Sequence, residues 1–167
     1  MYNRQDVARF VIHEHHATNL HFDLRLEVEG VLVSWAIPKG LSLIPHENRL
    51  AIRVSDRKLS YLTFEGTKRK SLRGAGEVCI WDTGEFEADC NRLDLLNHEL
   101  STVTFYGNVV QGKFELRKWS HSSDKWSIIK IDDEFADRGF KLKTILHPLN
   151  GRKHPLFAYT SDSDPFI

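Results

Sequence analysis

The sequence predicts an all-β domain, a compact barrel of about eight strands with one or two short helices. Three observations predict it. Apolar and polar residues alternate with period two over most of the chain. Val, Ile, Phe, Trp and Thr concentrate in those stretches, and Gly or Pro turn signals return roughly every 8–12 residues between them. Many short strands with little helix close into a sandwich or a barrel. One strand face crowded with ionisable side chains favours the barrel, whose mouth or a groove can hold them.

Residues 8–15 (ARFVIHEH), 21–29 and 31–37 (VLVSWAI) read as the first strands, with Gly30 after Glu29 making a tight hairpin between the last two. Pro38-Lys39-Gly40 ends the third. Residues 49–55, 76–82, 84–88, 100–106, 112–119 and 125–131 supply the others, with Gly74, Gly76, Gly84, Gly107 and Gly112 marking turns or bulges. Helix is predicted over 91–98 (NRLDLLNH) and as a short turn at 132–138, with Asp132 or Asp133 as its N-cap. Residues 1–146 form the domain. Residues 147–167, interrupted by Pro148, Pro155 and Pro165 and acidic at Asp162 and Asp164, read as an extension and mobile tail.

Bulk composition narrows the function classes. Lys plus Arg and Asp plus Glu are 23 each, so no global field attracts a polyanion, and any nucleic-acid contact must come from a local patch. Cys79 and Cys90 lack CxxC spacing, which argues against a disulfide scaffold or a cysteine zinc site. No apolar run resembles a signal peptide or membrane span. A cytoplasmic protein, acting as a monomer without a membrane, is the expectation.

The chemistry concentrates in His21-Phe22-Asp23-Leu24-Arg25-Leu26-Glu27. Strand alternation puts His21, Asp23, Arg25 and Glu27 on one face, and Phe22, Leu24, Leu26 and Val28 on the other. His15 lies just upstream, across a stretch that could turn the chain back. Two imidazoles and a carboxylate suit a transition metal and leave coordination positions open. Arg25 beside them offers a fork to phosphate oxygens. The plain alternative is a pair of surface histidines and an Asp23–Arg25 ion pair worth ~0–1 kcal/mol. His13 shares the face of His15 and is either a rival ligand or a support for the ligands. Lys39 could reach an anion near the strand ends. Lys68, Arg69, Lys70 and Arg73 make a basic run that either solvates a loop or tracks a nucleic-acid backbone. The four tryptophans sit in apolar strand contexts and read as core.

The stretch His15-His16-Ala17-Thr18-Asn19-Leu20-His21-Phe22-Asp23-Leu24-Arg25-Leu26-Glu27 closely resembles the signature H-x-A-x-x-L-H-x-D-x-R-L-E of the 3'-phosphoesterase module of bacterial DNA ligase D. The resemblance continues through Ser34–Gly40, Arg49–Ala51, Phe64–Gly66, Gly74–Gly76 and Trp81–Gly84, then Gly112–Leu116, Trp126–Lys130 and Asp133–Ala136. It implies a β-barrel that trims DNA 3' ends in double-strand break repair by end joining, removing a 3'-phosphate and in many members a 3'-ribonucleoside. It implies His15, His21 and Asp23 as ligands of a divalent metal, usually manganese, with zinc or cobalt as alternatives. Arg25 and Lys39 match residues used around the phosphate, and Tyr61 matches a tyrosine of the same site. DNA 3' ends, a repair ligase and a polymerase are the implied partners, and the chain would be a stand-alone member.

Two departures bear on turnover. Ser55-Asp56-Arg57-Lys58-Leu59-Ser60-Tyr61 places Arg57 where the family has an active-site histidine. A guanidinium holds phosphate, but with a pKa above about 12 it does not hand over a proton. The family's I-P-E-G-x-Y-G-A-G loop is replaced by a basic one at Thr67–Gly76. With so short a stretch before His15, the expectation is also that an arm some members use on ribonucleosides is missing. The resulting expectation is a metal-dependent phosphoesterase weaker or narrower than its relatives, the alternative being a 3'-phosphate end-binding module without turnover.

Overall fold

A computed structural model describes residues 8–68 and 76–145. Its strands are β1 (Ala8–His16), β2 (Leu20–Val28), β3 (Val31–Ile37), β4 (Asn48–Lys58) and β5 (Gly66–Lys68). They continue with β6 (Gly76–Ala88), β7 (Leu100–Tyr106), β8 (Gln111–Lys118) and β9 (Lys125–Lys130). The sheet order is β1-β2-β3-β4-β9-β8-β7-β6-β5, and β1 also pairs with β6. That last pairing closes an eight-stranded antiparallel barrel, with β5 added to β6 outside the ring. Closure removes the sheet edges that an open β-sheet would leave unpaired. No helix among the described residues is long and apolar enough to cross a membrane.

Alternation sets the interior. Phe10 and Ile12 of β1, with Phe22, Leu24 and Leu26 of β2, point into the barrel, where they meet Trp35, Phe86, Phe105, Phe114 and Trp126. Trp35 and Trp126 cross edge-to-face at 5.6 Å, as do Phe105 and Phe114 at 5.4 Å. Trp81 completes the core as anticipated, but Trp119 is 41% exposed and donates its indole N–H to Ser127. One end of the barrel is crossed by residues 137–145. Phe140 and Leu142 pack on the core there, and Glu14, buried at that end, accepts the Ile145 amide at 2.7 Å.

Several boundaries differ from expectation. Residues 76–88 form one continuous strand, because Gly84 marks a close approach and not a turn: a Cβ there would stand 2.2 Å from the Tyr106 carbonyl oxygen. The helix expected over 91–98 shrinks to a 3-10 turn at Arg92–Asp94. Leu95 is fully buried there and most of its described neighbours are exposed, which gives little apolar stripe to sustain a helix. Around 132–138 Asp133 does accept the Phe135 amide, as an N-cap would. Its carboxylate also binds the Lys113 amide and Lys130 Nζ, and the Asp137 amide turns to Leu43, so no helix propagates. A 3-10 turn at Leu59–Thr63, which alternation does not reveal, follows β4.

Two irregularities in strand pairing re-aim side chains on the barrel wall. Between β1 and β6, Ile12 pairs Asp82 while His13 pairs Ile80, so β6 carries an extra residue at Trp81. Between β3 and β4, Leu32 pairs Arg57 while Ser34 pairs Val54, so β4 carries one extra residue between them. Each bulge changes which face the next side chains take. The second puts Arg57 on the same outer face as Ser34 and Leu32.

Candidate metal centre

The opposite face of β1 and β2 from the apolar core carries His13, His15, His21, Asp23 and Arg25. This face lies on the outer wall of the barrel. It is as buried as the interior: Asp23 is 5% exposed and Arg25 2%. Register explains the grouping. His15 pairs His21 and His13 pairs Asp23 across the β1–β2 ladder, while Arg25 pairs Ser34 across β2–β3. A lid comes from the Leu59–Thr63 turn, whose Leu62 packs on Val11 and Leu32.

His15, His21 and Asp23 place one potential ligand atom each within 4.8 Å of one another. His15 Nδ1 is 3.2 Å from Asp23 Oδ2 and His21 Nε2 is 3.4 Å from Asp23 Oδ1. Metal–ligand bonds of about 2.1 Å separate neighbouring ligand atoms by roughly 3.0–3.4 Å, and each histidine stands at that spacing from one oxygen of Asp23. His21 turns Nδ1 to the Asn19 carbonyl at 3.2 Å, which fixes the proton there and directs Nε2 at Asp23. The donor set, two nitrogens and one oxygen, is of the kind that suits manganese, zinc, iron or nickel.

Electrostatics keep the carboxylate ionised. Burial by itself would push the Asp23 carboxyl up, but the charges of His21 and Arg25, with hydrogen bonds from His15 and His21, hold it well below its usual range. For His21, burial works against the proton, but Asp23 and the Asn19 carbonyl outweigh it and raise the pKa. Arg25 is pressed below its ordinary value by burial and by Arg57, with Asp23 acting in the opposite sense.

Arg25 is held on every side. Nη2 lies 3.3 Å from Asp23 Oδ2, Nη1 donates to Ser34 Oγ at 2.9 Å, and Nε donates to His13 Nδ1 at 3.2 Å. The Tyr61 ring stands 5.4 Å from the Arg25 guanidinium carbon and 5.3 Å from that of Arg57. Phe64 stacks on the other part of this platform, 5.0 Å from Tyr61. Arg57 Nε is buried with no hydrogen-bond partner among the described residues, and no carboxylate there pairs with Arg57.

The structure therefore brings together His15, His21, Asp23, Arg25, Arg57 and Tyr61. Lys39 is exposed in the turn after β3, whose last residue Ile37 pairs with Phe22 next to Asp23. Of the basic run, the Lys68 backbone belongs to β5, paired with Gly76. The Lys68 side chain and Arg69, Lys70 and Arg73 lie outside the described residues, as does the 147–167 extension. His13 is no rival ligand, because both its ring nitrogens are engaged, by Arg25 and by the Phe64 carbonyl at 3.0 Å. Ser34, which sequence reasoning did not single out, is the residue that braces Arg25. Its signal was its place opposite Arg25 on a strand otherwise apolar from Val31 to Ile37.

The profile of the DNA Ligase D 3'-phosphoesterase domain matches residues 13–118, which contain every residue of the cluster. The chain is 46% identical over 114 residues to the multifunctional non-homologous end joining protein LigD of Mycolicibacterium smegmatis, covering 65% of this chain and 15% of that protein. It is 37% identical over 140 residues to the multifunctional non-homologous end joining DNA repair protein LigD of Mycobacterium tuberculosis, covering 84% of this chain and 18% of the relative. The LigD protein of Pseudomonas aeruginosa is 37% identical over 130 residues, 76% of this chain and 15% of the relative. The chain thus spans less than a fifth of the length of each.

Proposed function

We propose that this chain, which belongs to the DNA ligase D 3'-phosphoesterase domain family, is a divalent-metal-dependent phosphoesterase that removes 3'-phosphates from DNA ends during end joining. The observation that carries the reading is the buried His15–His21–Asp23 group with Arg25 fixed 3.3 Å from Asp23. A metal and an anion would there share one wall of the barrel. Manganese suits the donors, with zinc or cobalt as alternatives.

Bound by His15, His21 and Asp23, the metal would polarise a phosphate oxygen and lower the pKa of a bound water. The chain's own residues do the rest. Arg25, immobilised by Asp23, Ser34 and His13, presents its remaining donor positions to the phosphate oxygens without reorganising. Arg57 adds a second fixed positive charge across the Tyr61 ring. Tyr61 brings a hydroxyl that can bond a phosphate oxygen. Lys39 and the Lys68, Arg69, Lys70, Arg73 run would contact the DNA strand. The Lys68 end of that run is paired at Gly76, next to the β1 end that carries His16. A repair ligase and polymerase would take up the resulting 3'-OH, and 3'-ribonucleoside removal is a further activity of the same site.

One observation favours a second reading, a 3'-phosphate end-binding module without turnover. Arg57 supplies charge but no transferable proton. A primer–template ending in 3'-phosphate, incubated with Mn²⁺ or with chelator beside an Asp23→Ala control, separates the two. Metal-dependent 3'-OH absent from the control establishes the phosphoesterase. Salt-sensitive binding without product establishes the binding module.

A further inference from the structure

We propose that His13 is a positioning residue that locks Arg25 and the Tyr61–Phe64 segment to each other. It rests on the reading of Arg25 as a phosphate ligand, but its geometry stands separately. His13 is fully buried on β1, on the site face, directly opposite Asp23 in the β1–β2 ladder. An arginine Nε carries a proton and only donates, so His13 Nδ1, 3.2 Å away, must be the bare acceptor. The ring proton then sits on Nε2, which donates to the Phe64 carbonyl at 3.0 Å. The two bonds enforce one neutral tautomer, and that tautomer satisfies both partners at once.

The consequence is mechanical. Phe64 ends the 3-10 turn, its amide bonded back to the Tyr61 carbonyl, and its ring stacks on Tyr61 at 5.0 Å with planes 26° apart. Holding the Phe64 carbonyl therefore holds the Tyr61 ring, which stands edge-on to His13 at 6.4 Å and over Arg25 at 5.4 Å. Arg25 has its other donors on Ser34 and toward Asp23, so His13 removes the remaining rotational freedom about the guanidinium. One imidazole thus sets the distance between the barrel wall that carries the anion-binding fork and the turn that roofs it. Misplacement of such a fork by about 1 Å can lower rates by ~10²-fold.

The two bonds can be broken one at a time. In His13→Asn the amide oxygen stands near the Nδ1 position and can still accept from Arg25, while the reach to Phe64 is lost. In His13→Gln the amide nitrogen stands near the Nε2 position and can still donate to the Phe64 carbonyl. His13→Leu removes both. The spectroscopic arm records ¹⁵N–¹H spectra of the whole chain, reading the His13 tautomer and solvent exchange of the Arg25 Nε–H. The kinetic arm measures kcat and KM on a 3'-phosphate primer–template with Mn²⁺. The expected result is an Nε2–H tautomer, and an Arg25 Nε–H that is protected in wild type and His13→Asn but exchanges quickly in His13→Leu. His13→Leu should lower kcat/KM roughly 10–100-fold, with each amide variant recovering part of it. A residue that merely fills space would leave the Arg25 proton protected in all variants, and that result overturns the proposal. An Nδ1–H tautomer overturns it as well. If the wild type yields no product, the phosphoesterase reading fails while the exchange data still decide the role of His13.

Discussion

Among the buried carboxylates of this barrel, Asp23 and Asp82 make the sharpest contrast, and their partners tell their work apart. Asp82 is 3% exposed on β6, next to the Trp81 bulge. It accepts four backbone amides: Thr83 and Asn108 at Oδ1, Val109 and Val110 at Oδ2, all between 2.7 and 3.1 Å. Gly107 lies so close that a Cβ would come 2.4 Å from Oδ2. Among the described residues every hydrogen-bond partner of Asp82 is a backbone amide, which a metal ion does not displace, so the carboxylate pins the β7–β8 hairpin. Asp23, equally buried, is surrounded by His15 and His21, whose ring nitrogens can give up a proton to hold a metal, and by Arg25, whose N–H groups can donate to an anion. Burial depth does not separate a structural acid from a functional one. The exchangeability of its partners does.

That contrast can be broken experimentally, and the largest effect belongs to Asp23. Asp23→Asn should lower metal-dependent 3'-phosphate release by ~10²-fold or more and abolish the rise in melting temperature on adding Mn²⁺. Retention of that rise would move the metal elsewhere. Asp82→Ala should strand several buried amides and cost at least ~3 kcal/mol, about 6–12 °C in melting temperature. Activity per folded molecule should stay within about twofold at a temperature where the variant is folded. A specific loss of Mn²⁺ affinity in Asp82→Ala would erase the distinction.

Arg57→His should raise turnover on 3'-phosphate ends by ~10-fold or more if a missing proton donor limits the reaction. Unchanged kcat with a higher KM would show that Arg57 serves only to bind. The smallest effect concerns pH. Because the pKa of His21 is raised, the metal-free site keeps its proton to higher pH, and Mn²⁺ must displace it. Affinity should therefore climb as pH rises from below the ordinary histidine value and level off once His21 is neutral. Asp23, held low, adds no dependence above about pH 4. Calorimetric titration from about pH 5.5 to 8 reads this directly, and a flat profile would mean His21 is not a ligand.

Much of this was legible beforehand because β-alternation is a local rule. Period two placed His21, Asp23 and Arg25 on one face and Phe22, Leu24 and Leu26 on the other, and the ladder found in the structure keeps that division. The short helices were misjudged for an equally physical reason. At 91–98 Leu95 is buried while most of its described neighbours are exposed, and at 132–138 Asp133 and Asp137 found partners far along the chain, on Lys113 and Leu43, that a helix could not satisfy. The role of His13 was invisible too, since it depends on the Phe64 carbonyl, 51 residues away.

The sequence by itself determined the strand faces, the barrel class and the grouping of His15, His21, Asp23 and Arg25, because neighbours on a hairpin meet whatever the rest of the chain does. Only the tertiary structure decided that this face is buried on the outer wall, that a bulge in β4 turns Arg57 toward it, and that a 3-10 turn carries Tyr61 over Arg25. The physical reason is register. Local chemistry fixes which side of a strand a residue occupies, whereas the pairing of distant strands and the position of each extra residue fix what stands opposite it.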